Sequence, residues 1–197
     1  MRRLWILLMI LVMLAAFSSC ATPFRQPFAY ADTPFSVTVQ GTYTPANDPN
    51  GSPRPVSARI TAGAPMNGDP TLRDLTVTFT APDTLAGLTV TATLSTAPDG
   101  TVGRVVSLSY PSEYGDVSMT AEGGELDGLL RFAEALLPLG DVAEVSPVAA
   151  DGSCTITRRA GERVATFTFV EGRRLPVSVT LTDGRGAAAL VVCDSGE

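Results

Sequence analysis

Run after run of this chain alternates apolar and polar residues with a period of two, and that pattern constrains the fold more than any other feature. Phe35, Val37, Val39 and Tyr43 fall on one side of the first run, with Ser36, Thr38, Gln40 and Thr42 on the other. Successive strand side chains point to opposite faces, so such a run offers one face to a core and one to water. The signature recurs at Val56, Ala58, Ile60 and Ala62, at Leu75, Val77, Phe79 and Ala81, and at Leu88, Val90, Ala92 and Leu94. It returns at 106–110, 117–121, 165–169, 175–181 and 187–193. With a strand near 153–159 the chain has about ten strands. Their outward set is mostly Thr, Ser and Arg, as in antiparallel sheet and unlike the strands of a doubly wound α/β protein, which are apolar on both faces. Asp99-Gly100, Asp151-Gly152, Ala160-Gly161, Glu171-Gly172 and Asp183-Gly184 supply hairpin turns, so their acids are turn formers before they are ligands.

One segment breaks the period. In GELDGLLRFAEALLPLG the apolar residues Leu126, Leu129, Leu130, Ala133, Leu136 and Leu137 are spaced by three and four, Glu125 and Asp127 stand in the first turn, and Pro138 is the stop. This predicts an amphipathic helix near 124–137, between strands six and seven. A helix this short is marginal alone and must lay its stripe on apolar surface. Burying four leucines at roughly 2 kcal/mol each gives a gross gain of about 8 kcal/mol before ordering costs. The expected fold is therefore mainly β: a curled antiparallel sheet, an incomplete barrel, with one inserted helix covering its concave face.

The first twenty residues read MRRLWILLMILVMLAAFSSC. Two Arg precede a 14-residue apolar run, Leu4 to Phe17. As a helix it would be about 21 Å long, short for a hydrocarbon core of ~30 Å and suited to an export signal. Phe17-Ser18-Ser19-Cys20 has the form of a lipobox, with Phe where Leu is usual. The expectation is a signal peptide over 1–19, lipid on Cys20, a Pro-bearing tether over 20–34 and a single domain over 35–197. Acyl chains at ~0.8 kcal/mol per buried CH₂ anchor a protein to a membrane without a spanning segment. The three tether aromatics, Phe24, Phe28 and Tyr30, are expected to dock on the domain's own surface. Beyond residue 20 the chain carries 12 Arg against 20 Asp and Glu.

Cys154 and Cys193 remain, and an oxidising compartment permits a disulfide. Four up-and-down strands between them place the two at one end of the sheet. In a flat sheet three inter-strand steps of ~4.8 Å hold them ~14 Å apart, too far for a bond whose Cα atoms lie ~5.5 Å apart. Stronger curl or a crossing strand would bring them together, so bonded and free states both stay open.

The stretches PFSVTVQGTY, LTVTFTAPDTLAGLTVTATL and TFTFVEGRRLPVSVTL resemble the lipoprotein carriers of the LolA/LolB type. The points of likeness are an early strand with a Gly, a strand ending in Ala-Pro before Leu85-Ala86-Gly87-Leu88, and a late hairpin with Leu-Pro opening its second strand. The likeness covers roughly residues 30–193. It implies an incomplete barrel with a helical cover over an apolar cavity for acyl chains, although only one helix is evident here.

Composition removes other functions. The chain has no His and no Lys, and its net charge is −6, which leaves no basic face for nucleic acid, no imidazole for catalysis or metal ligation, and no amine base for a Ser or Cys nucleophile. Glu122, Glu125 and Asp127 complement a helix dipole better than they pair as acid and base. Asn47, Asp48 and Asn50 fall short of a calcium loop. No enzyme activity, cofactor or metal site is expected. Arg158, Arg159, Arg173 and Arg174 gather near two hairpin loops, as surface charge or as a headgroup contact. The leading expectation is a lipid-anchored protein on the extracytoplasmic face of a membrane, binding a lipid-like or other apolar molecule. Its cavity would be lined by Phe35, Val37, Val39, Val77, Phe79, Val90, Phe167 and Phe169, with Leu126, Leu129, Leu130 and Ala133 from the helix. The rival is a β-sandwich structural or protein-interaction module with no cavity, in which the same residues are core.

Overall fold

The computed structural model describes residues 26–46, 51–96, 102–111, 117–121, 127–184 and 186–196. Strands β1 (Phe35–Pro45), β2 (Arg54–Ala62), β3 (Leu75–Ala81), β4 (Thr89–Thr96), β5 (Val102–Tyr110) and β6 (Val117–Ala121) form one meander. A second comprises β7 (Asp141–Val145), β8 (Ser153–Ala160), β9 (Arg163–Val170), β10 (Ser178–Asp183) and β11 (Gly186–Gly196). Antiparallel pairing of β1 with β11 welds the two into one eleven-stranded sheet with β6 and β7 at its edges. The edges do not pair, so the sheet is an open half-barrel. Helix α1 (Asp127–Ala135) joins edge to edge, and a single 3-10 turn, Ala29–Asp32, precedes β1.

Contacts of α1 show how far the sheet curls. The helix touches β2, β3, β4, β10 and β11. In a flat sheet β4 and β10, five places apart, would be about 24 Å from each other, whereas a helix is ~10 Å across. Only a sheet wrapped around the helix meets it from both wings. The alternating residues determine which face turns inward: Val39, Ala58, Ile60, Leu75, Val77, Val90, Ala165, Phe167 and Val179 are fully buried, and their neighbours along each strand are not.

The weld has a local requirement. A Cβ on Gly41 would lie 1.9 Å from the carbonyl oxygen of Ala189 on β11, a distance no side chain tolerates, so the early strand needs its glycine for close approach to its last partner.

Two sequence expectations shift. Strand β7 is additional to the strands that alternation predicts, because all five of its residues are exposed and no buried face marks it. The helix begins at Asp127 in the described region; after Ala135 the chain tightens, Leu136 and Leu137 donating to the carbonyls three residues back, Ala133 and Glu134.

Candidate functional site

The concave trough is filled by two segments that belong to no strand. The first is α1 with the turn after it. Leu130, Arg131, Phe132, Ala133, Ala135, Leu136 and Leu137 are all buried, and between residues 130 and 137 only Glu134 is partly open. An amphipathic cover would keep one face wet; from Leu130 to Ala135 this helix is enclosed on nearly every side inside the trough. Phe132 stands edge-on to Tyr43 of β1 and Phe79 of β3, both ring centroids 5.8 Å away. Arg131 is 3% exposed, lies over the Tyr43 ring and pairs with Asp183 at the end of β10. Arg104 of β5 meets Glu134 at 2.9 Å, and Arg163 of β9 donates to the Glu134 carbonyl at 2.6 Å, so cations from both wings clasp the end of the helix. Burial lowers the Arg163 pKa, opposed by Glu134 and Asp183.

The second segment is 26–33, where an extended tether was expected. Tyr30 and Ala31 are buried to within 1% of completely and Phe28 packs half-buried against the same cluster, so the middle of the tether is core, while Gln26, Asp32 and Thr33 are exposed. Phe28 points its edge into the pair formed by Phe167 and Phe169, at 5.1 and 5.4 Å, with the Arg158 guanidinium 5.0 Å above its ring. Tyr30 stands edge-on to Phe35 at 5.5 Å and donates its hydroxyl to the Leu136 carbonyl, which ties the two segments together. Burial drives the Tyr30 pKa far up, against the pull of Arg73 and Arg158, so the phenol stays a neutral donor.

Beneath this segment lies Arg73, from the loop before β3, with no exposed surface. Its Nη2 donates to the Ala31 carbonyl and its guanidinium sits 5.7 Å from the Phe35 ring. Nε and Nη1 are buried with no hydrogen-bond partner. Burial pushes its pKa down, with Tyr30 and Asp32 opposing.

The expected cavity residues do converge. Val37, Val39, Val77, Phe79, Val90, Phe167, Phe169, Leu130 and Ala133 belong to one buried cluster, against which Phe35 packs half-buried. Leu126 and the side chain of Leu129 lie outside the described residues, as do Cys20, Asn47, Asp48, Asn50, Glu122 and Glu125. The space among the converging residues is occupied by Phe28, Tyr30, Phe132, Leu136 and Leu137. Among the described residues, surface clefts of about 320, 450 and 540 Å³ open elsewhere, and none of these is lined by a residue from the expected set.

Cys154 and Cys193 are free thiols. Cys154 is buried on β8 opposite Phe169, and Cys193 is exposed on β11, three strands away. Of the arginine group, Arg158 is engaged with Gly140 and Phe28 and Arg174 with the Thr33 hydroxyl, while Arg159 and Arg173 remain on the surface. Among the described residues no cluster of three Cys, Asp or Glu could hold a metal ion, and no helix is long and apolar enough to cross a membrane.

Four residues that matter most here, Tyr30, Arg73, Arg131 and Phe132, were not singled out for the trough. The aromatic pair Phe28 and Tyr30 was a signal for docking. Arg131 and Phe132 fall off the leucine stripe, and nothing in Leu72-Arg73-Asp74 marks a buried cation.

The fold thus defines an open antiparallel half-barrel with an internal helix. No protein-family profile and no curated protein matches the sequence. Among solved structures, a DUF1329 family protein from Desulfovibrio piger is 8% identical over 86% of this chain and 87% of its own, with a TM-score of 0.43. A domain given as an outer membrane lipoprotein-sorting protein, from Vibrio parahaemolyticus, is 9% identical over 83% and 85%, with a TM-score of 0.35. At such identities and scores neither neighbour passes a function to this chain.

Proposed function

We propose that this protein is an extracytoplasmic lipoprotein, held to a membrane by lipid on Cys20, whose half-barrel takes up a lipid-like molecule without chemistry. The observation that carries the reading is the composition of the trough. A continuous apolar sheet face is covered by a nine-residue helix and an eight-residue segment, neither strand-paired, rather than by a second sheet. Beside their apolar packing, both are fastened by polar latches at their ends and to each other: Tyr30 to Leu136, Arg73 to Ala31, Arg104 and Arg163 to Glu134. Such fastenings can exchange for water or ligand at modest net cost, about 1 kcal/mol for the neutral Tyr30 bond and about 1.5–3 kcal/mol for each arginine bond. The acidic chain, without His or Lys, supports binding over catalysis and speaks against nucleic acid.

One observation favours a second reading, a cell-surface interaction module with no ligand: side chains fill the trough in this structure. The test is native mass spectrometry with organic extraction of the exported Cys20→Ala protein. An apolar species at near-unit stoichiometry supports the carrier. A clean apo mass, with no uptake of a fluorescent fatty acid, selects the module. Palmitate labelling of the unaltered protein, lost in Cys20→Ala, tests the anchor.

A further inference from the structure

The unpartnered guanidinium of Arg73 points to what the trough accepts. A buried cation is expected to be paired or fully hydrogen-bonded, and the penalty for leaving it otherwise is several kcal/mol. Arg73 has no exposed surface, one carbonyl acceptor, and two nitrogens without any. No carboxylate lies within ion-pair distance of it among the described residues; Asp32 acts on it only through its field. The group above it is a backbone carbonyl, a weak, neutral, single acceptor where a guanidinium fork matches a two-oxygen anion. The adjoining bed is aromatic: Phe28 packs at right angles on the rings of Phe167 and Phe169, and Tyr30 on that of Phe35.

We propose that the bed of residues 26–33 is a binding site for an acyl chain ending in a carboxylate, with Arg73 as the receptor of the carboxylate, and that the segment is its occupant in the ligand-free protein. The Ala31 carbonyl stands where one carboxylate oxygen sits in the loaded state; the second oxygen takes an Arg73 donor that has no partner now. The acyl chain replaces Phe28 and Tyr30 on the aromatic bed. The site rests on the ligand-binding reading above and sharpens it to a carboxylate-ended chain. Neutral acyl esters forfeit the Arg73 contact, so selectivity for the free acid over its ester is the mark of this site.

Oleate and methyl oleate, presented from cyclodextrin to the exported Cys20→Ala protein, test it by calorimetry, with hydrogen exchange of residues 26–33 followed in parallel. Oleate should bind more tightly than the ester by roughly 10- to 100-fold, the range of charge-assisted hydrogen bonds, and Arg73→Met should erase that preference; because it also removes the latch on Ala31, ester binding should tighten severalfold, as on loss of the Tyr30 latch. Oleate should speed exchange at the amides of Ala29 and Ala31, which now donate to Gln26 and Phe28. The conservative variant Tyr30→Phe, which removes one latch, should raise oleate affinity severalfold. Equal binding of acid and ester, unaltered by Arg73→Met, overturns the Arg73 site and leaves the carrier reading standing. Binding of oleate with slowed or unchanged exchange at 26–33 overturns the segment's part in it. If neither ligand binds the parent protein or Tyr30→Phe, both readings fall.

Discussion

Two buried arginines in this trough should respond in opposite ways to the same substitution. Arg131 is 3% exposed and ion-paired with Asp183; Arg73 is fully buried and has no ion pair. Replacing Arg131 by Met removes one counter-charge from a carboxylate that is 19% exposed and also lies in the field of Arg163. Breaking a buried pair costs about 3–5 kcal/mol, and the partial exposure of Asp183 places this one at the low end, near 3 kcal/mol. For a domain of this size that lowers Tm by about 6–12 °C. Replacing Arg73 by Met gives up one hydrogen bond to Ala31 and the Phe35 ring contact, together about 2–4 kcal/mol. It also removes the desolvation penalty of a guanidinium with two unmet nitrogens, several kcal/mol of the opposite sign. The net is near zero or stabilising. Urea unfolding followed by far-UV circular dichroism measures both variants against the parent. A loss in Arg73→Met of more than about 2 kcal/mol, matching that of Arg131→Met, would show that Arg73 is fully satisfied in the folded protein and would refute the reasoning.

Three further outcomes follow from the geometry. Gly41→Ala places a methyl 1.9 Å from the Ala189 carbonyl at the weld of the two meanders; a loss of at least 2–3 kcal/mol is expected, with exchange rising first along β1 and β11. Phe132→Ala should cost about 3–5 kcal/mol, because the ring between Tyr43 and Phe79 is 3% exposed; a loss below 1 kcal/mol would mean that the trough is loosely filled. In the Cys20→Ala protein, a thiol reagent should modify Cys193 within seconds to minutes and Cys154 only on unfolding, and mass spectrometry of the labelled peptides reads the order directly.

Much of this architecture is local, and local features are legible. Strand alternation at Val37, Val39, Val77, Phe79, Phe167 and Phe169 depends only on which side of a pleat each residue takes, so the sheet and its inner face follow from order along the chain. The three- and four-residue spacing from Leu126 to Leu137, with its Pro stop, likewise placed a helix between the sixth and seventh strands. What the chain order cannot encode is how far a sheet curls, and the remaining features depend on that. Wrapping the sheet around α1 buries Arg131 and Phe132, which sit off the leucine stripe, and turns a covering helix into an internal one. The same curl gives 26–33 a trough to enter, which converts a Pro-bearing tether into core and closes it over Arg73. Strand β7, wet on both faces, exists only because β8 offers it an edge. Pairing of β1 with β11, whose partners are more than 140 residues apart, joins the two meanders into one sheet. Sequence determined the elements and their inward faces, because those are set by neighbours along the chain; tertiary structure decided what occupies the trough, because that is set by surfaces that meet only once the sheet has curled.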